Sequence, residues 1–89
     1  MAWTIDYSET AARQLRKLDR QTAKCILDFM DARVAGRADP RGTGKALTGQ
    51  SLGAYWRYRV GDYRIICAIQ DDLLRVLVVE IGDRKEIYR

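Results

Sequence analysis

One short stretch holds the side chains best suited to chemistry in this sequence. It runs Trp56-Arg57-Tyr58-Arg59-Val60-Gly61-Asp62-Tyr63-Arg64. Side chains alternate between the two faces of a strand, so Arg57 and Arg59 point the same way. If Gly61-Asp62 is a two-residue turn, Arg59 lies opposite Arg64. Three guanidinium groups then share one face of a sheet.

Clustered guanidinium groups are suited to phosphate chemistry. They bind phosphate oxygens through paired hydrogen bonds and stay charged at every working pH. Such a group can orient a phosphodiester and stabilise the extra negative charge of its transition state. The alternative is a solvated basic strand face paired with surface carboxylates. Because like charges side by side are destabilising without an anion to balance them, we favour the functional interpretation.

The opposite face of the same strands is apolar and aromatic. It carries Trp56, Tyr58, Val60, Tyr63, Ile65, Cys67 and Ile69. We expect this face to lie under helices, so that the arginines project from the open face. A register slip of one residue would reverse the assignment.

Two flanking segments are predicted to extend the site. After the last strand, Arg84 and Tyr88 could reach back over the open face, where a tyrosine can stack on a base or hydrogen-bond a reacting hydroxyl. Tyr88 could equally be a packing residue at the chain end. The Gly- and Pro-containing loop from Gly36 to Gly44 and the residue after it are basic through Arg37, Arg41 and Lys45.

Composition excludes several kinds of catalysis. The chain has no histidine, which removes the commonest general base near neutral pH, the Ser-His-Asp and Cys-His triads, and histidine metal sites. Cys25 and Cys67 have no metal-like or redox-like spacing, and we predict both to be reduced core residues. No cofactor or metal is expected. Sixteen Lys and Arg against 12 Asp and Glu leave a net charge of +4, which permits a nucleic-acid partner.

The elements that must position these residues follow from periodicity. Trp3, Ile5 and Tyr7 alternate as in a strand, and residues 8–35 have helical spacing with Ser8 and Asp19 as N-caps. Strands are predicted at 55–60, 63–70 and 73–82, with Asp71-Asp72 as the second turn. The predicted fold class is α+β, a small antiparallel sheet with two N-terminal helices on one face in the order β-α-α-β-β-β.

Residues 1–89 are predicted to form a single domain inside the cell. No apolar run approaches the length of a membrane span, and the N-terminus lacks the features of a signal peptide. We therefore expect a cytoplasmic protein with no membrane partner. Ile66, Leu77 and Val79 are expected to be partly exposed on the open face, which would mark a partner site unless the C-terminal tail covers them.

Three segments carry a resemblance to a known family. They are Lys45-Ala46-Leu47-Thr48-Gly49, the stretch from Trp56 through Arg64 quoted above together with Ile65, and Ile81-Gly82-Asp83-Arg84-Lys85-Glu86-Ile87-Tyr88. Together they resemble the RelE/StbE branch of the RelE/ParE toxin superfamily, over essentially the whole chain. The resemblance implies a single RelE-like toxin domain spanning residues 1–89.

The resemblance also implies an activity and partners. RelE-type members are toxins of type II toxin-antitoxin systems that cut mRNA in the ribosomal A site and so inhibit translation. The cut uses the RNA 2′-hydroxyl as nucleophile and needs no metal. A cognate antitoxin, RelB-like or a similar DNA-binding protein, neutralises the toxin. The expected partners are therefore this antitoxin, the ribosome with its mRNA and, through the antitoxin, operator DNA.

Site residues carry over by position. Arg57 and Arg59 match a basic pair on the active strand, and Arg64 matches the arginine after the hairpin. Arg84 and Tyr88 match an arginine and a tyrosine of the family's C-terminal segment. RNA-binding roles are predicted for Lys45, Arg41 and Lys85.

The general base is the open point of this resemblance. The pair is lysine in the best-studied members and arginine here, and Asp83 stands where many relatives have histidine. Since arginine stays protonated in proteins, it is a poor base, and catalytic competence depends on another group. Tyr88 is the first candidate, with Lys45 or a ribosomal RNA group as alternatives. Positioning of the 2′-hydroxyl for in-line attack could also carry most of the catalysis.

Two other functions remain open on the same fold. One is a ParE-like, non-enzymatic inhibitor of DNA gyrase, and the other is a catalytically weakened toxin homologue that only binds nucleic acid. Fold alone does not choose among them. The arginines and Tyr88 favour the endoribonuclease.

Overall fold

A computed structural model describes residues 3–36, 38–46 and 55–83, and within these ranges it contains one five-stranded sheet and two α-helices. The strands are β1 (Thr4–Tyr7), β2 (Lys45–Ala46), β3 (Tyr55–Val60), β4 (Tyr63–Gln70) and β5 (Arg75–Asp83), and the helices are α1 (Glu9–Lys17) and α2 (Arg20–Phe29). The spatial order of the strands is β1-β5-β4-β3-β2. The predicted α+β class is confirmed.

Both helices begin at the predicted caps. The Ala11 amide donates to the hydroxyl of Ser8 at 3.0 Å, and the Thr22 amide donates to the carboxylate of Asp19 at 3.1 Å. These bonds satisfy amides that have no partner within their helix. After Phe29 the chain continues into a π-helical turn, Met30–Ala35. No helix in the described part of the chain is long and apolar enough to span a membrane.

The hairpin of β3 and β4 forms as predicted. Val60 pairs with Tyr63 and Arg59 pairs with Arg64 across an antiparallel ladder. Gly61 has φ +60°, whereas Asp62 has no positive φ, which is the pattern of a type II′ turn. The hairpin register on which the candidate site depends is therefore confirmed.

Three features of the sheet differ from the prediction. The sheet is mixed, because β1 pairs with β5 in the parallel direction, as in the Ile5–Val76 pair. A short strand, β2, was missed because two residues show no periodicity. The Asp71-Asp72 pair is not a two-residue turn. It opens a 3₁₀ turn that ends in Leu74 at φ +48°, so β5 begins at Arg75.

The core lies between the helices and one face of the sheet. Its buried members are Trp3, Ala11, Ile26, Met30, Val34, Tyr58, Ile65, Cys67, Val76, Val78 and Ile81. This confirms the predicted apolar face of the hairpin. The prediction that Cys25 is a core residue was wrong, since Cys25 is exposed and its neighbour Leu27 is 39% exposed. At 100° per residue they lie on either side of Ile26, outside the narrow buried stripe.

A β-bulge in β5 adjusts which of its residues face the core. Ile66 pairs with Glu80 and Cys67 pairs with Val78, which leaves Val79 as the extra residue. The Ser8 hydroxyl donates to the carbonyl oxygen of Val79 at 2.8 Å, so the start of α1 is fastened to the bulge. On the open face, Leu77 and Val79 are half-buried as expected, but Ile66 is buried.

Candidate functional site

Four cationic side chains from three neighbouring strands meet at one pocket. In the β3–β4 ladder Arg59 faces Arg64, and in the β2–β3 ladder Lys45 faces Arg57. All four line a pocket of about 210 Å³, together with Phe29, Thr43 and Gly44. The predicted cluster of Arg57, Arg59 and Arg64 is thus assembled, and Lys45 joins it.

The four cations differ in depth. Lys45 and Arg59 are exposed, Arg57 is half-buried, and Arg64 is 5% exposed. The Nε and Nη1 atoms of Arg64 are buried. A charged group held at low solvent exposure acts on a neighbouring anion through a less polar medium, where its interaction is stronger than in water. Arg64 can therefore act as a buried positive charge beside the exposed side chain of Arg59.

The segment that delivers Lys45, residues 38–44, is held to the core by three aromatic donors. We call it the clamp segment. The bonds are Trp3 Nε1 to the Ala38 oxygen (3.0 Å), Tyr58 Oη to the Pro40 oxygen (2.7 Å) and Trp56 Nε1 to the Thr43 oxygen (2.7 Å). Each ring also packs in or against the core. Aromatic side chains with one polar atom suit this double role, since the ring is buried while its donor finds an acceptor.

Gly44 allows the clamp segment to approach β3. Its φ is +82°, and a Cβ atom there would collide with the carbonyl oxygen of Arg57 and lie 2.7 Å from the indole nitrogen of Trp56. Only glycine fits this backbone at this distance. Sequence reasoning missed Gly44, Thr43 and Phe29 as pocket residues. The one available signal was a glycine immediately before a lysine in the basic loop.

Arg41 does not join the pocket. Its Nη1 and Nη2 atoms donate to the two carboxylate oxygens of Asp71 at 2.9 and 2.8 Å, and its backbone amide donates to Asp39. The bonds from Arg41 hold the pKa of Asp71 below its usual value, and Asp71 in turn raises the pKa of Arg41. The guanidinium predicted to contact RNA therefore fastens the clamp segment to the β4–β5 connection.

The remaining predicted residues, Arg84, Lys85 and Tyr88, lie outside the described residues. Among the described groups, burial raises the pKa of Tyr7 to about 12, with Asp31 and Cys67 adding to the effect. Burial also raises the pKa of Tyr58 and of the Cys67 thiol. These three groups keep their protons near neutral pH and cannot serve as general bases there. Residues 3–36, 38–46 and 55–83 contain no cluster of three potential metal ligands.

Solved structures of small toxins have a fold similar to that of this chain. The RelBE2 toxin-antitoxin complex from Mycobacterium tuberculosis contains a similar chain, with 25% identity, a TM-score of 0.83, and coverage of 94% of this chain and 93% of that one. The isolated Escherichia coli RelE toxin has the same fold, with 21% identity, a TM-score of 0.72, and coverage of 98% and 92%. The architecture is thus that of RelE-like toxins.

Sequence comparisons identify the family. Residues 5–88 match the model of the ParE toxin of type II toxin-antitoxin systems. Toxin RelG of M. tuberculosis is 28% identical over 89 residues, which are 100% of this chain and 99% of RelG. Toxin RelE of the same organism is 34% identical over 85 residues, covering 96% of this chain and 84% of that toxin. The chain belongs to the ParE toxin family and is a type II toxin of the RelE/ParE superfamily.

Replacing Gly44 tests the close approach of the clamp segment. We expect Gly44→Ala to lower the free energy of unfolding by about 3 kcal/mol, because it combines backbone strain with a steric collision. Gly61→Ala is the matched control: φ is also positive there, but nothing lies within 4 Å of the new Cβ. It should cost about 1 kcal/mol. Equal losses in urea unfolding would mean that the clamp segment does not pack against β3.

The Arg41–Asp71 ion pair should appear in the pH dependence of stability. The pKa of Asp71 is lowered in the folded state from its usual 3.8, so the pair stabilises the fold above that pH and loses its effect as pH falls through the folded value. Asp71→Asn should therefore be less stable than the wild type at pH 7, with the difference shrinking below pH 3.8. The stability difference between Arg41→Gln and the wild type should shrink in the same way. Thermal unfolding would contradict this if either difference stayed constant down to pH 2.

Proposed function

We propose that this toxin is a ribosome-dependent mRNA endonuclease that cuts in the A site and inhibits translation in the cytoplasm. The observation that carries the proposal is the pocket in which Lys45, Arg57, Arg59 and Arg64 meet. A surface with this charge attracts a polyanion, and its donors match phosphate oxygens. The resemblance to the RelE branch supplies the substrate, which is translated mRNA.

The proposed reaction needs charge stabilisation more than any other form of catalysis. The 2′-oxygen forms a bond to phosphorus while the bond from phosphorus to the 5′-oxygen breaks, which leaves a 2′,3′-cyclic phosphate and a 5′-hydroxyl. A base takes the 2′-hydroxyl proton, and an acid gives one to the leaving 5′-oxygen. Negative charge accumulates on the phosphoryl oxygens between these events. Cations already fixed around that position lower the barrier without reorganising, and no metal is part of the proposal.

The arginines are suited to the electrostatic part of this reaction only. Arg57 and Arg59 occupy the positions of the family's basic pair, and a guanidinium holds its proton throughout. Tyr88 is our first candidate for the base, because nearby guanidinium groups would lower the pKa of a phenol. Lys45, which lies beside Arg57, and a ribosomal RNA group are the alternatives. Arg84 and Lys85 are proposed to contribute further positive charge toward the RNA.

A cognate antitoxin is the proposed regulator. Several structures with this fold are complexes of RelE with RelB, among them one from Pyrococcus horikoshii with a TM-score of 0.74. On this chain, Leu77 and Val79 are half-buried on the open face and offer apolar area to a partner. We propose a RelB-like antitoxin that binds here, blocks the site and connects the toxin to operator DNA.

Inhibition of DNA gyrase is the second candidate function. The family model that matches residues 5–88 carries the ParE name, which favours it. That function requires a binding surface and no chemistry, so it does not need four cations around one pocket. A weakened homologue that binds nucleic acid without cutting it is the third candidate.

Removal of Arg59 tests the endonuclease. On purified ribosomes translating a defined message, Arg59→Ala should lower the cleavage rate by about 100-fold, because it removes one charge from the transition state. Arg59 is exposed and faces Arg64, so its loss should not lower the thermal midpoint. Arg33→Ala is the matched control, since Arg33 is also exposed but does not line the pocket. Its cleavage rate should lie within about twofold of the wild-type rate.

Other outcomes of the same experiment would redirect the proposal. Intact messages with inhibited supercoiling of plasmid DNA by gyrase would support the gyrase function. If messages and supercoiling are both unaffected while RNA still binds, the weakened homologue is favoured. Equal loss of cleavage in Arg59→Ala and Arg33→Ala would remove the pocket from the mechanism.

A substitution at Tyr88 tests the proposed base. Tyr88→Phe removes the phenol and keeps the ring, so we expect cleavage on ribosomes to fall by about 100-fold or more if the phenol takes the 2′-hydroxyl proton. The pH profile of single-turnover rates, measured from pH 6 to pH 9, would also no longer show the ionisation of that group. An unchanged rate and pH profile would eliminate Tyr88 and leave Lys45 or the ribosome as the source of the base.

A further inference from the structure

Trp56 connects the clamp segment to the strand that carries Arg57. In the sheet it pairs with Ala46 on one side and Cys67 on the other. Its indole nitrogen donates to the carbonyl oxygen of Thr43 at 2.7 Å. Thr43 stands two positions before Lys45 in the sequence. One side chain therefore fixes the backbone immediately before Lys45 to the residue adjacent to Arg57.

The strand that carries Lys45 lies at the edge of the sheet as the structure describes it. Among the described residues, β2 pairs with β3 at Lys45 and Ala46. Because an edge strand has a ladder on one side only, contacts made by the residues just before Lys45 add to what holds it beside Arg57.

Electrostatic repulsion acts against the pairing of Lys45 with Arg57. The two lie directly opposite each other in the ladder, and Arg59 lines the same pocket. Like charges at facing positions of a sheet repel each other, which favours displacement of the exposed edge strand. The hydrogen bond from Trp56 to Thr43 opposes that displacement two positions before Lys45.

Other bonds of the clamp segment lie between Lys45 and the hydrogen bond that Trp3 donates to Ala38. Trp3 holds Ala38, whereas Tyr58 holds Pro40 and Arg41 is bound to Asp71. These closer bonds lie between Ala38 and Thr43, so we expect a change at Ala38 to have little effect on the position of Lys45.

We propose that Trp56 is a positioning residue for the candidate site, whose indole N–H holds Lys45 beside Arg57 so that both cations meet the same phosphate. This inference rests on the proposed function only in taking that phosphate to be part of an RNA chain. Trp56 does not line the pocket. It acts through Lys45, and its effect must disappear when the Lys45 ammonium group is removed.

A double-mutant cycle tests this dependence. Trp56→Phe, Lys45→Ala and the double variant are compared with the wild type in single-turnover cleavage on ribosomes and in binding of an uncleavable 2′-deoxy oligonucleotide. With Lys45 present, Trp56→Phe should lower the cleavage rate about tenfold and the affinity about threefold. In the Lys45→Ala background it should change either quantity by less than about twofold. A merely structural role would cost the same factor in both backgrounds.

Two further variants distinguish a loss of positioning from a loss of stability. Trp3→Phe is the matched control, because it removes an indole donor from the same clamp segment at Ala38. It should lower the thermal midpoint, and its effect on cleavage should be additive with that of Lys45→Ala. Replacement of Trp56 by benzothienylalanine removes the N–H and keeps the bicyclic ring, so it should reproduce the effect of Trp56→Phe without its loss of packing.

Each outcome bears on one of the two proposals. Equal factors in both backgrounds, or an effect of benzothienylalanine below about twofold, would overturn the positioning role of Trp56. If the wild-type protein binds the oligonucleotide but cuts no message, the endonuclease proposal fails, and the cycle measured on binding still decides the role of Trp56. If the wild type binds no oligonucleotide, both proposals are overturned.

Discussion

Burial of one face of the β3–β4 hairpin determines where the charges of the candidate site lie. Tyr58, Ile65 and Cys67 are fully buried on the helix side of the sheet. A shift of one residue would turn Arg57 and Arg59 toward the apolar core, and burying charged side chains there costs far more than any gain in pairing. The hydrophobic effect thus selects the register, and the register places Arg59 opposite Arg64. Burial of apolar side chains on the other face therefore holds these two cations opposite each other in spite of their repulsion.

Such an arrangement is expected where a protein binds an anion. Like charges at facing positions of a sheet repel each other. A phosphate group or an acidic partner that binds the folded state would therefore stabilise it by mass action. The burial of Arg64 strengthens this attraction, because its charge acts at low solvent exposure. Under the proposed function, the same surface would bind RNA in the free toxin and a neutralising partner in a complex.

The irregular part of the chain is ordered by the core rather than by its own hydrogen bonds. Trp3, Trp56 and Tyr58 each pack a ring in or against the core and donate one hydrogen bond to a carbonyl group of the clamp segment. A loop normally exposes such carbonyl groups to water, and here the aromatic donors satisfy three of them. This arrangement helps the edge strand β2 to present Lys45 at a defined position. The side chains that pack the core therefore also shape the candidate site.

Local patterns in the sequence account for the helix caps, the hairpin and the face occupied by its arginines. Ser8 and Asp19 bond to amides three residues away, and Arg59 meets Arg64 through a turn of two residues, so neighbouring residues contain the necessary information. Local patterns did not predict contacts between distant segments. Arg41 meets Asp71 30 residues further along the chain, and no local pattern predicted this ion pair. Likewise the parallel pairing of β1, the existence of β2 and the place of Lys45 beside Arg57 arise only when remote segments pack together, because periodicity reports which face of a strand is buried and not which strand will lie next to it.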